Sequence, residues 1–384
     1  GMKLPGYVAA NCTGDAPMMA YRAGVELTGM EFCINGHPAF YDGRYLYGAL
    51  DNLVQAAGAI LVNSQGERFM ERYDPVLMER AKWQVSCRAI AKENLEGRGP
   101  VYVDMTKFSQ GDRQLLTKFR LNPPDRSYRE TGFDPSRDKA PCIARMRVAS
   151  SCGEGGIKID TRCQTSLPGL FAAGAACYNP AHGTYTVGGV NLAFCNVGGY
   201  RAGESAADYC QKAGQPQLEG RQIEHLKEAA LSPLNRKRGL SPDELFARMR
   251  DDIITPAGVS IFRNEKRLKA AIGQLDKLIV ETLPQVWAKD AHQMVKANEA
   301  GNAALMAKLT LTACLERNET RGWQYREEFP YQDDIDWLKW VILRRQGESG
   351  VAIRHEAIPI ESYQVQPKER RRLPSPVQYT FPKG

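Results

Sequence analysis

The sequence predicts a mixed α/β fold, of the α+β kind, assembled from several separately packed pieces, and three observations predict it. Residues 161–205 read as a turn, a short apolar strand, a glycine-rich loop and a helix whose first turn is almost bare backbone. Residues 40–145 alternate strand and helix signals. From Leu218 onward apolar residues recur with a period of about 3.6, which marks helices packed on one face.

From the start of the chain, residues 13–27 read as a helix capped by Thr13 or Asp15, with Pro17 tolerated in its first turn and Gly24 near its end. Residues 59–62 and 68–70 flank a turn at 63–66 and read as a hairpin. A long helical pattern follows over 76–96, then a strand over 101–104. The Pro-, Arg- and Asp-rich stretch 121–141 reads as an extended loop. Pro168-Gly169 makes a turn, residues 170–173 an apolar strand ended by Gly174, and Gly188-Gly189 open a helix carrying Leu192, Val197 and Ala202. Periodic segments at 221–230, 242–254, 264–282 and 299–317 read as a helical bundle. The tail alternates weakly and then turns Pro- and Arg-rich, as an extended arm does. The division that follows is 1–39, 40–145, 146–210, 218–345 and 346–384.

At 384 residues, with 43% hydrophobic and 25% charged residues, the composition is that of a water-soluble globular protein. No apolar run approaches the roughly 18 residues of a membrane span. The N-terminus has no secretory pattern, so the chain reads as cytoplasmic; Gly1 ahead of Met2 reads as a scar of tag removal. The ten cysteines include no Cys-x-x-Cys pair, which argues against a zinc ribbon or an iron–sulfur cluster, and no metal site is expected. Reduced thiols are the expectation. The net charge of +7 gathers at 236–238 and 368–372, without a nucleic-acid motif; an acidic protein partner or an anionic substrate fits it.

Four ordered motifs carry a resemblance. They are the Thr13-Gly14-Asp15…Arg22-Ala23-Gly24 segment with Met30-Glu31-Phe32, the Asn63–Tyr73 stretch, the run from Thr165 to Tyr209, and Arg317-Asn318-Glu319-Thr320-Arg321-Gly322 with Tyr325-Arg326. Together they are similar to the flavoprotein family of succinate dehydrogenase and fumarate reductase, in its divergent, adenylylsulfate-reductase-like or fumarate-reductase-like branch. The resemblance implies FAD as cofactor. It makes 1–39 a remnant of the FAD-binding domain, 40–145 a capping domain, 146–210 the second FAD-binding segment and 218–345 the helical domain. A bare helix start offers free N–H groups and a positive dipole end to the electron-rich edge of a flavin. The implied cofactor-binding residues are Thr13, Gly14, Asp15, Gly174, Ala175, Gly188, Gly189, Asn191 and Leu192.

Departures from the family pattern fall on the chemistry. The resemblance places Gln55 at the position of a proton-donating arginine, Ser151 at a substrate histidine and Thr186 at a carboxylate-binding arginine, while His182 is kept. His37, beside Pro38, lies near the family's Phe-His-Pro. Ala175 stands where the family carries a carboxylate for the ribityl chain. No Gly-x-Gly-x-x-Gly occurs in the 384 residues, so the dinucleotide-gripping turn is expected from an N-terminal FAD-binding half or a separate subunit.

Two functions follow as expectations. The first is part of an FAD-dependent oxidoreductase with a substrate other than a dicarboxylate, working with an iron–sulfur electron-transfer protein and binding FAD weakly or not at all by itself. The second is a cofactor-less scaffold or partner-binding remnant of the same fold. Either way Leu170, Phe171, Leu192 and Phe194 are expected to leave an apolar face that a second chain or a homodimer contact covers.

Overall fold

Leu27 marks where segments far apart in sequence meet. In the computed structural model, which describes residues 13–41, 46–48, 57–112, 114, 132, 134, 136–148, 154–184, 189–215, 217–367 and 369–380, it pairs with Ile157 on one side and Leu343 on the other. The described residues fall into two units, one drawn from 9–35 and 147–373, the other from 36–146 and 374–384.

In the first unit β1 (Leu27–Thr28) lies inside an antiparallel sheet of order β10-β9-β1-β7, with β7 Gly156–Ile157, β9 Lys339–Gln346 and β10 Gly350–Ala357. Residues 350–357, expected to begin an extended arm, pair along their whole length with β9, so the weak alternation there is that of an edge strand. A two-stranded ribbon joins β8 (Tyr331–Asp333) and β11 (Arg372–Pro374). The expected helix over 13–27 is shorter, Asp15–Arg22, because Gly14 and Gly24 both take positive φ and the chain must straighten into β1.

The helical part follows its local signals. Ser241 and Glu244 form a capping box ahead of the Pro242–Arg248 helix. Asn264 caps the Glu265–Lys277 helix, and Asp290 caps the Ala291–Glu316 helix at 2.8 Å. That last helix is buried nearly all round from Ala297 to Cys314 and forms the centre of the unit. From its end a ladder of alternating charges runs outward. Arg317 donates to Glu31 at 2.7 Å and Glu319 at 2.8 Å, and Arg321 bridges Glu319 to Asp334. The Glu31, Arg317 and Glu319 side chains are buried, which forces this pairing.

The second unit carries a five-stranded sheet of order β3-β2-β6-β5-β4, from β2 (Ile34–Tyr41), β3 (Leu46–Gly48), β4 (Ile60–Val62), β5 (Val101–Asp104) and β6 (Ala140–Val148). The hairpin expected over 59–70 is not formed: β4 pairs with β5. Asn63 Oδ1 accepts from the Gln65 and Glu67 N–H groups, and the following chain turns into a short helix, Met70–Tyr73, that buries Phe69 and Met70. The expected helix over 76–96 begins later, at Trp83, since Met78 takes a φ of 54° and Ala81 and Lys82 are extended. Against it Glu93, its side chain fully buried, accepts from Asn63, Arg72, Tyr73 and Arg98.

Candidate functional site

The helix Val190–Lys212 starts from Gly189, whose φ of 81° only glycine adopts freely, and no acidic side chain lies in its first turn. Ala193 makes the first intrahelical bond, to Gly189 O at 3.1 Å, so the N–H groups of Val190, Asn191 and Leu192 project from the helix end without intrahelical partners. A positive dipole end is thereby exposed beside small residues.

Two loops converge on this end. In the first, Thr165 N donates to Leu170 O and Ala172 N to Cys163 O, while Cys163 Sγ reaches Gly198 O at 3.5 Å. Gly198 lies under Ala173, and a Cβ on Gly174 would stand 3.4 Å from Cys195 Sγ, so Gly174 lies directly against the second turn of the helix. Residues 170–173 make one bridge, Gln164 to Phe171, and stay half-buried, unlike the buried strand their composition predicts. The second loop carries His182. Its turn is closed by Asn179, whose carbonyl accepts from His182 N and Gly183 N and whose side chain accepts from Ala181 N. Gly322 fixes its far side, since a Cβ there would fall 2.3 Å from Thr184 O. The His182 imidazole is buried beside the Asn191 side chain, and burial lowers its pKa more than the nearby Asn191 amide restores it.

The structure thus gathers His182, Asn191 and Gly189, with Gly174 packed one turn along the same helix. Leu192 is 69% exposed and Ala175 is exposed. Thr13, Gly14 and Asp15 are engaged elsewhere: Asp15 accepts from Thr13 Oγ1 at 2.9 Å and from Asn302 Nδ2, and a Cβ on Gly14 would meet Met306 Sδ at 2.5 Å. His37 lies on β2, and only its backbone is described. Gln55, Ser151, Thr186 and Gly188 lie outside the described residues.

A cleft of about 560 Å³ opens beside this helix, lined by Phe194, Val197 and Arg201 from the helix and by Lys158, Tyr178 and Trp340 across from it. The uncovered face extends beyond the cleft. Only Gly198 and Ser205 of the 190–212 helix are buried, and the Gly220–Leu231 helix has no buried residue, with Ile223 and Leu226 exposed. Of the four residues expected on this face Leu192 is exposed, whereas Leu170, Phe171 and Phe194 are half-buried, Phe171 against Tyr209 at 6.1 Å. Sequence reading missed Tyr178 and Trp340, which meet 162 positions apart and leave no local signal.

The residues present fit an electron-rich ring edge at the 189–192 helix start, where N–H groups without an intrahelical acceptor and the dipole converge. They do not supply a carboxylate at Ala175 for a ribityl chain. Among the described residues no group of His, Cys, Asp and Glu is placed to hold a metal ion, and no helix is long and apolar enough to cross a membrane.

Comparison with known proteins agrees with this geometry. The FAD binding domain family matches residues 7–192, and the fumarate reductase flavoprotein C-terminal family matches residues 252–372. An uncharacterized FAD-dependent oxidoreductase of Methanocaldococcus jannaschii is 32% identical over 336 residues, covering 86% of this chain and 59% of the relative. One subunit of the fumarate reductase (CoM/CoB) of Methanothermobacter marburgensis is 31% identical over 351 residues, 87% of this chain and 60% of the relative. A mutant of Escherichia coli quinol fumarate reductase shares the fold, with a TM-score of 0.78 at 24% identity over 94% of this chain and 64% of that one. The chain spans about three-fifths of the length of these curated relatives. With the first match running through the helix start to residue 192 and the second covering 252–372, the chain belongs to the succinate dehydrogenase/fumarate reductase flavoprotein family.

Proposed function

We propose that this chain is the substrate-side and helical portion of an FAD-dependent oxidoreductase, with the flavin ring edge held at the helix start 189–192. The observation that carries the reading is the bare first turn beside Gly174, with His182 buried close to Asn191. FAD, when bound, supplies hydride transfer. Gly189 lets the ring approach the backbone, and the N–H groups of Val190, Asn191 and Leu192 favour negative charge on it. The pyrophosphate contacts come, in this reading, from a segment or subunit bearing a Gly-x-Gly-x-x-Gly turn, and electrons pass to an iron–sulfur protein. The uncovered faces of the 190–212 and 220–231 helices offer that segment an apolar seat. Co-expression with the pyrophosphate-binding segment of the M. jannaschii relative tests this: FAD should co-purify with the pair, and a pair without flavin would reject the reading.

The substrate, we propose, is not a four-carbon dicarboxylate. Gln55, Ser151 and Thr186 stand where the family resemblance puts two arginines and a histidine, and each lost charge-assisted hydrogen bond to a carboxylate forfeits about 1.5–3 kcal/mol. Fumarate reduction by the flavin-loaded pair with a reduced dye should stay at background; turnover at about 1–10³ per second would contradict this. A second reading, a cofactor-less partner-binding remnant, is favoured by Ala175 and takes over if the pair holds no flavin.

A further inference from the structure

Beside the loop that carries His182, the first unit holds a second hollow, of about 300 Å³. Its walls are aromatic: Phe32, Tyr178, Trp337, Trp340 and Tyr363. Trp340 Nε1 donates to the Tyr178 hydroxyl at 3.3 Å and the two rings meet edge to face at 6.5 Å, which fixes the wall shared with the larger cleft. No residue of the uncovered 190–212 helix lines this hollow, so its walls do not depend on what covers that helix.

Three cations reach it, and they are not equivalent. Arg317 is neutralised by Glu31 and Glu319, and Arg321 by Glu319 and Asp334. Lys339 is different. Its Nζ stands 4.6 Å from the Trp337 ring centroid, and among the described residues it has no carboxylate within ion-pair distance. An ammonium held over an indole at the edge of an aromatic slot lacks only an anion, and a flat ring matches walls that favour offset and edge-on contacts. The volume is at the small end of ligand sites and suits one or two fused rings.

We propose that this hollow is a binding site for a planar aromatic carboxylate, its ring against Trp340 and Tyr363 and its anionic group on Lys339. The proposal is independent of the flavin reading. Calorimetric titration of the purified chain with naphthoate tests it, with naphthylmethylammonium as the charge-reversed probe and hexanoate as the non-aromatic one. Naphthoate should bind at one site per chain, about tenfold or more tighter than either control. Lys339→Met and Lys339→Gln should each weaken naphthoate by a similar factor with an unchanged melting curve, and Lys339→Arg should retain it. Absence of saturable naphthoate binding, equal binding of the ammonium probe, or undiminished affinity in both folded neutral variants would overturn it.

Discussion

Glu93 shows how much one buried carboxylate can hold. Burial opposes its ionisation, but hydrogen bonds from Arg98, Asn63, Tyr73 and Arg72 outweigh that cost and bring its pKa down to about 2. The folded pKa therefore lies below the ordinary glutamate value of about 4.3. Its contribution is fully present above that ordinary value and is lost as pH falls toward the folded one. We expect Glu93→Gln to cost about 2–3 kcal/mol at neutral pH and to flatten the stability profile between about pH 5 and pH 2. Urea unfolding across that range measures both, and a variant with the wild-type profile would show the network to be incidental. Tyr73 moves in the opposite direction: burial and its bond to Glu93 push its pKa up, so it stays a donor throughout.

At the scale of elements, two helices are out of balance with the rest. The Ala291–Glu316 helix is buried nearly all round, whereas the 190–212 and 220–231 helices and the chain between them leave Val197, Tyr200, Leu218, Ile223 and Leu226 in solvent. Exposed apolar side chains in this number favour association. Val197→Asp with Leu226→Asp should change stability by about 0.5 kcal/mol or less, because neither side chain is packed, yet shift the isolated chain toward monomer in light scattering. A wild-type chain already monomeric at high concentration would contradict that. The helices were legible from their apolar period and, before Val190, from the glycine pair; the last one, read from 299, in fact starts at Ala291, where the Asp290 cap rather than the period sets its beginning. The sheet was not legible. β1 is two residues long and takes partners from 156–157 and 342–343, so its register is set by tertiary packing rather than by any pattern of its own. Of the candidate site, the glycine-opened helix and His182 could be read from the sequence, while the Tyr178–Trp340 wall arises from a contact between residues 162 positions apart.

For the molecule as a whole, one division of labour underlies the proposed flavin chemistry. In that proposal this chain supplies the donors and dipole for the flavin ring edge, and the pyrophosphate grip comes from a glycine turn that its 384 residues do not contain. A helix dipole and three N–H groups bias charge on a ring, but they leave two phosphates unheld. Flavin absorbance after gel filtration of the chain with excess FAD, alone and with the complementing segment, separates the two contributions. A colourless chain and a yellow pair are expected. Stoichiometric FAD retained by the chain alone would contradict the division.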